Sequence, residues 1–141
     1  MSAAEALTAA TAPGGPGVRA VGIDVVDIRR LRSMLRRRGQ PLYDRLLTPA
    51  EQALCQGASE RRRAACLAGR VAAKEAVRKT LGGYGDGCGW LDVEIGREAS
   101  GAPAARLTGR AAQAFGRAAF DRLHISITHE AGVAVAIAVA V

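Results

Sequence analysis

A long helical segment, read from about Glu60 to Leu81 and halted by Gly82-Gly83, constrains this chain more than any other feature. Ala68, Ala72 and Ala76 recur along it at four-residue spacing and share one face. Small side chains on that face leave room for another backbone, or a ligand, to lie close. Aromatic residues make up only 4% of the sequence, so Leu, Val, Ile and Ala must supply the packing around this helix.

The helix also carries an uneven charge pattern. Glu75 is the only acidic residue between Glu60 and Asp86, and Arg70, Lys74, Arg78 and Lys79 stand around it. Two readings follow. Glu75 and Lys79 are i,i+4 in the favourable order for a helix ion pair. Alternatively, Glu75 is a metal ligand or base beside a phosphate-binding lysine.

The rest of the chain supplies strands and shorter helices. Val18 to Val26 alternates Val21, Ile23 and Val25 with Gly22 and Asp24, the period of a half-buried strand. Asp27 is placed to cap a helix running to about Arg38, and Gly39 and Pro41 end it. Thr48-Pro49-Ala50-Glu51 has the cap, proline and acid spacing of a helix start. Gly82 to Gly89 reads as a loop and Trp90 to Ile95 as a strand. Arg106-Leu107 closes a second short strand, and Thr108 to Phe120 is helical. His124 to Thr128 and Val133 to Val141 form a final hairpin. The last strand alternates Val or Ile with Ala, which predicts cover on both faces. Together these elements predict an α+β domain over residues 19–141. Residues 1–18, rich in Ala, Thr, Gly and Pro, read as a flexible leader.

Asp24 is a carboxylate inside an apolar strand, where an unpaired charge is costly. Either its face of the strand meets solvent or it aims into a site. Asp24 with Glu75 would suffice for Mg²⁺ on a phosphate, because that ion commonly takes one or two carboxylates and keeps water. His129, at the start of a turn behind Ser126 and Thr128, is a local turn residue or a phosphate contact. His124 reads as a surface residue.

The net charge of +7 favours polyanionic partners. Arg29, Arg30, Arg32, Arg36 and Arg37 concentrate it on the first helix, as a solvated face or a docking surface. Single-strand binders interleave basic residues with aromatics. The whole chain has five aromatics and this cluster none, which counts against nucleic acid. The glycine loop matches neither a P-loop nor a dinucleotide fingerprint. Three cysteines, Cys55, Cys66 and Cys88, without a CxxC pair, predict reduced cytoplasmic thiols and no zinc site. No apolar run approaches the ~20 residues of a membrane helix, and no signal peptide is read.

Read in order, several segments resemble the holo-acyl-carrier-protein synthase family. They are Gly22-Ile23-Asp24-Val25-Val26-Asp27-Ile28 and Leu47-Thr48-Pro49-Ala50-Glu51. Leu67 to Ala76, with its Ala72-Ala73-Lys74-Glu75-Ala76 centre, is followed by Lys79 to Gly82. Trp90 to Ile95, Gly101-Ala102-Pro103 and Ile125-Ser126-Ile127-Thr128-His129 complete the set. The resemblance implies the 4′-phosphopantetheinyl transferase fold, a small antiparallel sheet packed with a long helix and shorter helices. It implies Mg²⁺-dependent transfer of 4′-phosphopantetheine from coenzyme A to a carrier-protein serine. Asp24 and Glu75 would hold Mg²⁺, and Glu75 would act as, or position, the general base. Lys79 would meet a coenzyme phosphate and stabilise the leaving group. Arg70, Gly82 and His129 would contact the coenzyme, His129 at its 3′-phosphate. Arg30, with Arg37, would face an acidic carrier protein. A homotrimer with active sites between neighbouring subunits is also implied. The readings from other classes are a basic module binding nucleic acid and a non-catalytic subunit docking an acidic partner.

Overall fold

The computed structural model describes residues 17–57 and 59–141; the expected leader, 1–18, lies outside them except for Gly17 and Val18. Along the described residues the chain runs β1 (Ala20–Asp27), α1 (Ile28–Arg38), α2 (Gln40–Leu46), α3 (Pro49–Leu54) and α4 (Glu60–Leu81). Then come β2 (Val93–Arg97), β3 (Pro103–Leu107), α5 (Gly109–Arg117), β4 (Leu123–Glu130) and β5 (Val133–Ala140). Short 3₁₀ turns, Gly82–Gly85 and Trp90–Asp92, lie between α4 and β2. The α+β class expected from the sequence is borne out.

Local signals set most boundaries. Asp27 caps α1, its carboxylate accepting the Arg30 backbone N–H at 3.0 Å. Gly39, at φ 66°, ends that helix and donates its N–H to the Leu35 carbonyl. Thr48 and Glu51 form a reciprocal capping box at the start of α3. Two boundaries differ from expectation. Trp90–Asp92 is a turn rather than strand, because the Asp92 carboxylate accepts the Gly89 N–H at 3.0 Å and holds the chain curled. α5 stops at Arg117, and Ala119 beyond it turns to φ 56°.

β1, β5 and β4 form an antiparallel sheet in that order, and β2–β3 form a separate ribbon. Ala134, Ala136, Ala138 and Ala140 alternate onto the buried face of β5. α4 lies against this face with Ala72, Ala73 and Ala76, so small residues meet small residues. Contact is closest at Gly22, where an added Cβ would sit 1.9 Å from the Ala76 carbonyl oxygen. Only glycine permits that approach. Val93 and Ile95 of the ribbon and Ala111 and Ala114 of α5 close the same core. A second core joins Leu31 and Leu35 of α1, Leu42 and Leu46 of α2, and Leu67, Ala68 and Val71 of α4.

The sheet's other face corrects one expectation. Val21, Ile23 and Val25 pair across to Val139, Ile137 and Val135. The three β1 residues are 54%, 55% and 58% exposed, and on β5 Ile137 is exposed while Val133, Val135 and Val139 are half-buried, so this face is only partly covered within a single chain. The cysteines correct another. Cys55 at the end of α3 and Cys66 in α4 are joined in a disulfide, and Cys88 is free and buried. Packing of α3 on α4 brings their Cα atoms to 5.8 Å, within bridging range.

Candidate active site

Strand alternation settles where Asp24 points. It shares the α4-facing side of β1 with Gly22 and Val26, opposite the open Val21–Ile23–Val25 face. The close approach at Gly22 brings Lys79 of α4 over the strand. Lys79 Nζ donates to Asp24 Oδ1 at 3.1 Å and to the Ile23 carbonyl at 2.7 Å. Glu75 stands one turn before Lys79 on the same helix face. Its Oε1 accepts from Arg78 at 2.9 Å, so the anticipated Glu75–Lys79 pair gives way to two others. Gly82, at φ 54°, ends α4 beside this cluster and donates its N–H to the Lys79 carbonyl. Asp24, Glu75, Lys79 and Gly82 thus gather along one edge of α4. The Asp24 and Glu75 side chains are each about one-quarter exposed.

Two carboxylates are a hard-oxygen donor set, and among the described residues no group of three or more His, Cys, Asp or Glu could enclose a metal. Carboxylate oxygens fit Mg²⁺, which commonly takes one or two carboxylates and keeps water.

Arg70 and His129 lie elsewhere. They line an open cavity of about 890 Å³ with Arg61, Arg62 and Arg97. Arg70 precedes Lys79 by nine residues, which puts the two on opposite sides of the helix, about 180° apart. Arg70 is 5% exposed, donates weakly to the Cys66 carbonyl at 3.4 Å, and its Nε has no partner among the described residues. Burial and then the neighbouring Arg97 charge push its pKa down, with Glu51 opposing. A buried guanidinium with an unpaired donor, in a wall of further arginines, is electrostatically prepared for an anion.

A family model of the 4′-phosphopantetheinyl transferase superfamily matches residues 20–138. The chain belongs to this superfamily. Within it, the likeness is to holo-[acyl-carrier-protein] synthases. That of Desulforudis audaxviator is 46% identical over 123 residues, spanning 86% of this chain and 91% of that protein. The crystal structure of the Helicobacter pylori synthase in complex with coenzyme A superposes with a TM-score of 0.73 at 31% identity. It covers 86% of this chain and 99% of that one. The Bacillus anthracis synthase in complex with CoA (3′,5′-ADP) gives 0.70 at 30% identity, over 87% and 96%. The family expected from the sequence motifs is therefore the family found, and the chain is a phosphopantetheinyl transferase.

In this transferase the arginines of α1 divide into two sets. Arg32 and Arg36 both bond Glu60 at the start of α4. Arg30 and Arg37 are exposed and free of described side-chain bonds. Lys74, grouped with the cations around Glu75 on sequence grounds, is instead fully buried. Its Nζ donates to Glu51 Oε1 at 2.6 Å and to the Trp90 carbonyl at 2.9 Å. Local spacing marks Glu51 only as a helix-start acid and gives no sign of this pair. Nor does it single out Arg61, Arg62 and Arg97, whose convergence depends on the fold.

Proposed function

We propose that this transferase moves 4′-phosphopantetheine from coenzyme A onto the serine hydroxyl of an apo acyl or peptidyl carrier protein. Adenosine 3′,5′-bisphosphate leaves, and the reaction depends on Mg²⁺. The Lys79–Asp24 contact is the observation that carries this assignment, because it sets an acid and a cation one helical turn from Glu75, an arrangement that suits a pyrophosphate. The serine oxygen attacks the β-phosphorus. Glu75 takes the serine proton or holds the group that does. Lys79 is exposed enough to turn from Asp24 toward the oxygen of the departing bisphosphate. Asp24 and Glu75 would hold Mg²⁺, which when bound supplies Lewis-acid stabilisation of the pyrophosphate charge.

Arg70 and His129, with Gly82 on the other flank, are assigned to coenzyme A, His129 and Arg70 at its 3′-phosphate. One copy presents these groups on opposite sides of α4, so we assign each active site to two neighbouring subunits. The exposed Val21–Ile23–Val25 face, continued by Val135, Ile137 and Val139, is the surface we assign to assembly as a homotrimer. Arg30 and Arg37 are assigned to an acidic carrier protein, chiefly for orientation and encounter rate. The domain is placed at residues 19–141 and the reaction in the cytoplasm. Among the described residues no helix is long and apolar enough to cross a membrane, and no membrane or nucleic-acid partner is proposed.

The test incubates the protein with apo carrier protein, coenzyme A and Mg²⁺, then weighs the carrier by mass spectrometry. The expected result is a gain of one phosphopantetheine, abolished by EDTA and restored by Mg²⁺. No gain with fatty-acid, polyketide or peptide carriers would overturn the assignment; gain unaffected by EDTA would remove the metal from it.

A further inference from the structure

The Cys55–Cys66 bridge lies in the wall of the arginine-lined cavity, and both cysteines line it. Cys55 ends α3, while Cys66 sits one turn before Arg70 on α4. Between them the chain folds back through Gly57 at φ 77° and delivers Ser59, Arg61 and Arg62 to the same wall. The Cys66 carbonyl is the acceptor for Arg70. Glu60 is tied to α1 through Arg32 and Arg36, and Glu51 of α3 to Lys74 of α4, but among the described residues few bonds lie within the reversal itself. Gln56 N–H meets the Ala53 carbonyl at 3.3 Å, Cys55 N–H meets Gln52 at 3.2 Å, and Ser59 caps α4 through the Arg62 N–H at 3.3 Å. These three are long, local bonds, and the shorter Arg63 N–H to Ser59 carbonyl bond of 2.9 Å is local too. The disulfide is the covalent link that fixes the end of α3 against the arginine-bearing first turns of α4. Cys88 lies in the other core cluster, with α5 and the ribbon, and takes no part.

We propose that the Cys55–Cys66 pair positions the arginine wall of the coenzyme cavity, so that opening the bridge weakens coenzyme A binding and leaves the transfer step unchanged. It rests on the activity proposed above. The catalytic edge of Asp24, Glu75 and Lys79 is on the far side of α4 and shares no residue with this wall. Loss of the bridge therefore loosens anion contacts made equally before and during reaction, which raises KM rather than lowering kcat. A dithiol opens the bridge by thiolate exchange. Two electrons and two protons pass to Cys55 and Cys66, giving two thiols, while the dithiol closes to a cyclic disulfide. In a reducing compartment such a bridge is transient, so the cavity responds to thiol–disulfide poise.

The experiment compares bridged protein, dithiothreitol-treated protein and the double variant Cys55→Ser/Cys66→Ser. S-methyl-coenzyme A is the donor, because it lacks a free thiol that would itself reduce the bridge. Thiol counting by mass spectrometry confirms the state of each sample. KM for the donor should rise about tenfold in the reduced and double-serine proteins, the size of one lost charge-assisted contact. The kcat should stay within about twofold, and Cys88→Ser should match the parent. Reoxidation should restore KM. An unchanged KM with the bridge shown open, a fall in kcat alone, or a protein that never forms the bridge would each overturn the inference while transfer itself persists. Absence of transfer in every redox state would overturn the function on which it rests.

Discussion

Lys74 and Lys79 stand five residues apart on α4, and each bonds a carboxylate from a distant element. Lys74 meets Glu51 at 2.6 Å with both side chains about 1% exposed or less. Lys79 meets Asp24 at 3.1 Å with side chains 52% and 21% exposed. Burial separates their uses. Two charges taken from water must have their bonding capacity met by protein. Glu51 Oε1 also accepts the Thr48 N–H, and Oε2 accepts the Ile95 N–H at 2.9 Å, while Lys74 adds the Trp90 carbonyl. The knot ties α3, α4, the Trp90 turn and β2 together. Even so, burial holds the Lys74 pKa below its ordinary value, with Glu51 and then Glu94 opposing. The pair's bonds hold α4 in one rotation, while the desolvation of two buried charges offsets much of their attraction. The Lys79 pair stays open to solvent, as the phosphate and metal roles proposed for its two partners require. One helix thus carries a locked pair that aims it and an open pair that it aims.

Substitution at the open edge should cost activity and spare the fold. Glu75→Gln should lower kcat about 10²–10⁴-fold, with the melting temperature close to the parent. Near-normal turnover would remove Glu75 from the site. The reverse pattern belongs to the locked pair. Lys74→Met leaves Glu51 buried and uncompensated, a loss of about 3–5 kcal/mol, or roughly 10–20 °C in thermal unfolding. Replacing both partners, Glu51→Leu with Lys74→Met, should not restore the parent value, because the Thr48 and Ile95 N–H groups would still be orphaned. Full recovery in the double variant would show that the knot is only a pair.

Gly22 couples the two kinds of effect. Its missing Cβ is what lets β1 lie on Ala76, and an added Cβ would also fall 3.1 Å from the Lys79 Cβ. Gly22→Ala must push β1 away from α4 and open the Asp24–Lys79 contact. A loss of about 1–3 kcal/mol in urea unfolding is expected, with kcat falling further than Lys79→Ala alone explains. Parent-like stability would mean that the sheet slides without cost and that the alanine contact does not set the site.

These contrasts show which parts of the molecule could be read in advance. The Asp27 cap, the Thr48–Glu51 box and the Gly82 stop are local, each complete within a few residues, and the structure keeps all of them. Asp24 stands out as a carboxylate inside an apolar strand, and Glu75 as the lone acid among Arg70, Lys74, Arg78 and Lys79. Glu51 was legible for only half of its role. Its capping bond spans three residues, whereas its Lys74 bond spans 23 and its Ile95 bond 44. The Cys55–Cys66 pairing was hidden for the same reason, since separated cysteines show no motif until α3 folds onto α4. Hydrophobic alternation along β5 reports that its Val and Ile face avoids water. It does not report whether the same chain supplies the cover.

The smallest effect is expected where a carboxylate is paired as richly as Glu51 yet lies in water. Arg36 reaches the two Glu60 oxygens at 2.6 and 2.9 Å, and Arg32 reaches them both at 3.2 Å. The bonds from Arg36 and then Arg32 hold the Glu60 carboxyl down to about 2. A lowered folded-state value means that the contribution is complete above the ordinary value near 4.5 and is lost as pH falls through about 2. Exposure and salt reduce its size. Glu60→Gln should therefore lower the melting temperature at pH 7 by no more than about 3 °C. The difference from the parent should shrink in high salt and close as the pH approaches 2. A loss at pH 7 comparable to that of Lys74→Met would break the rule that burial, rather than the number of hydrogen bonds, decides which carboxylates hold this fold together.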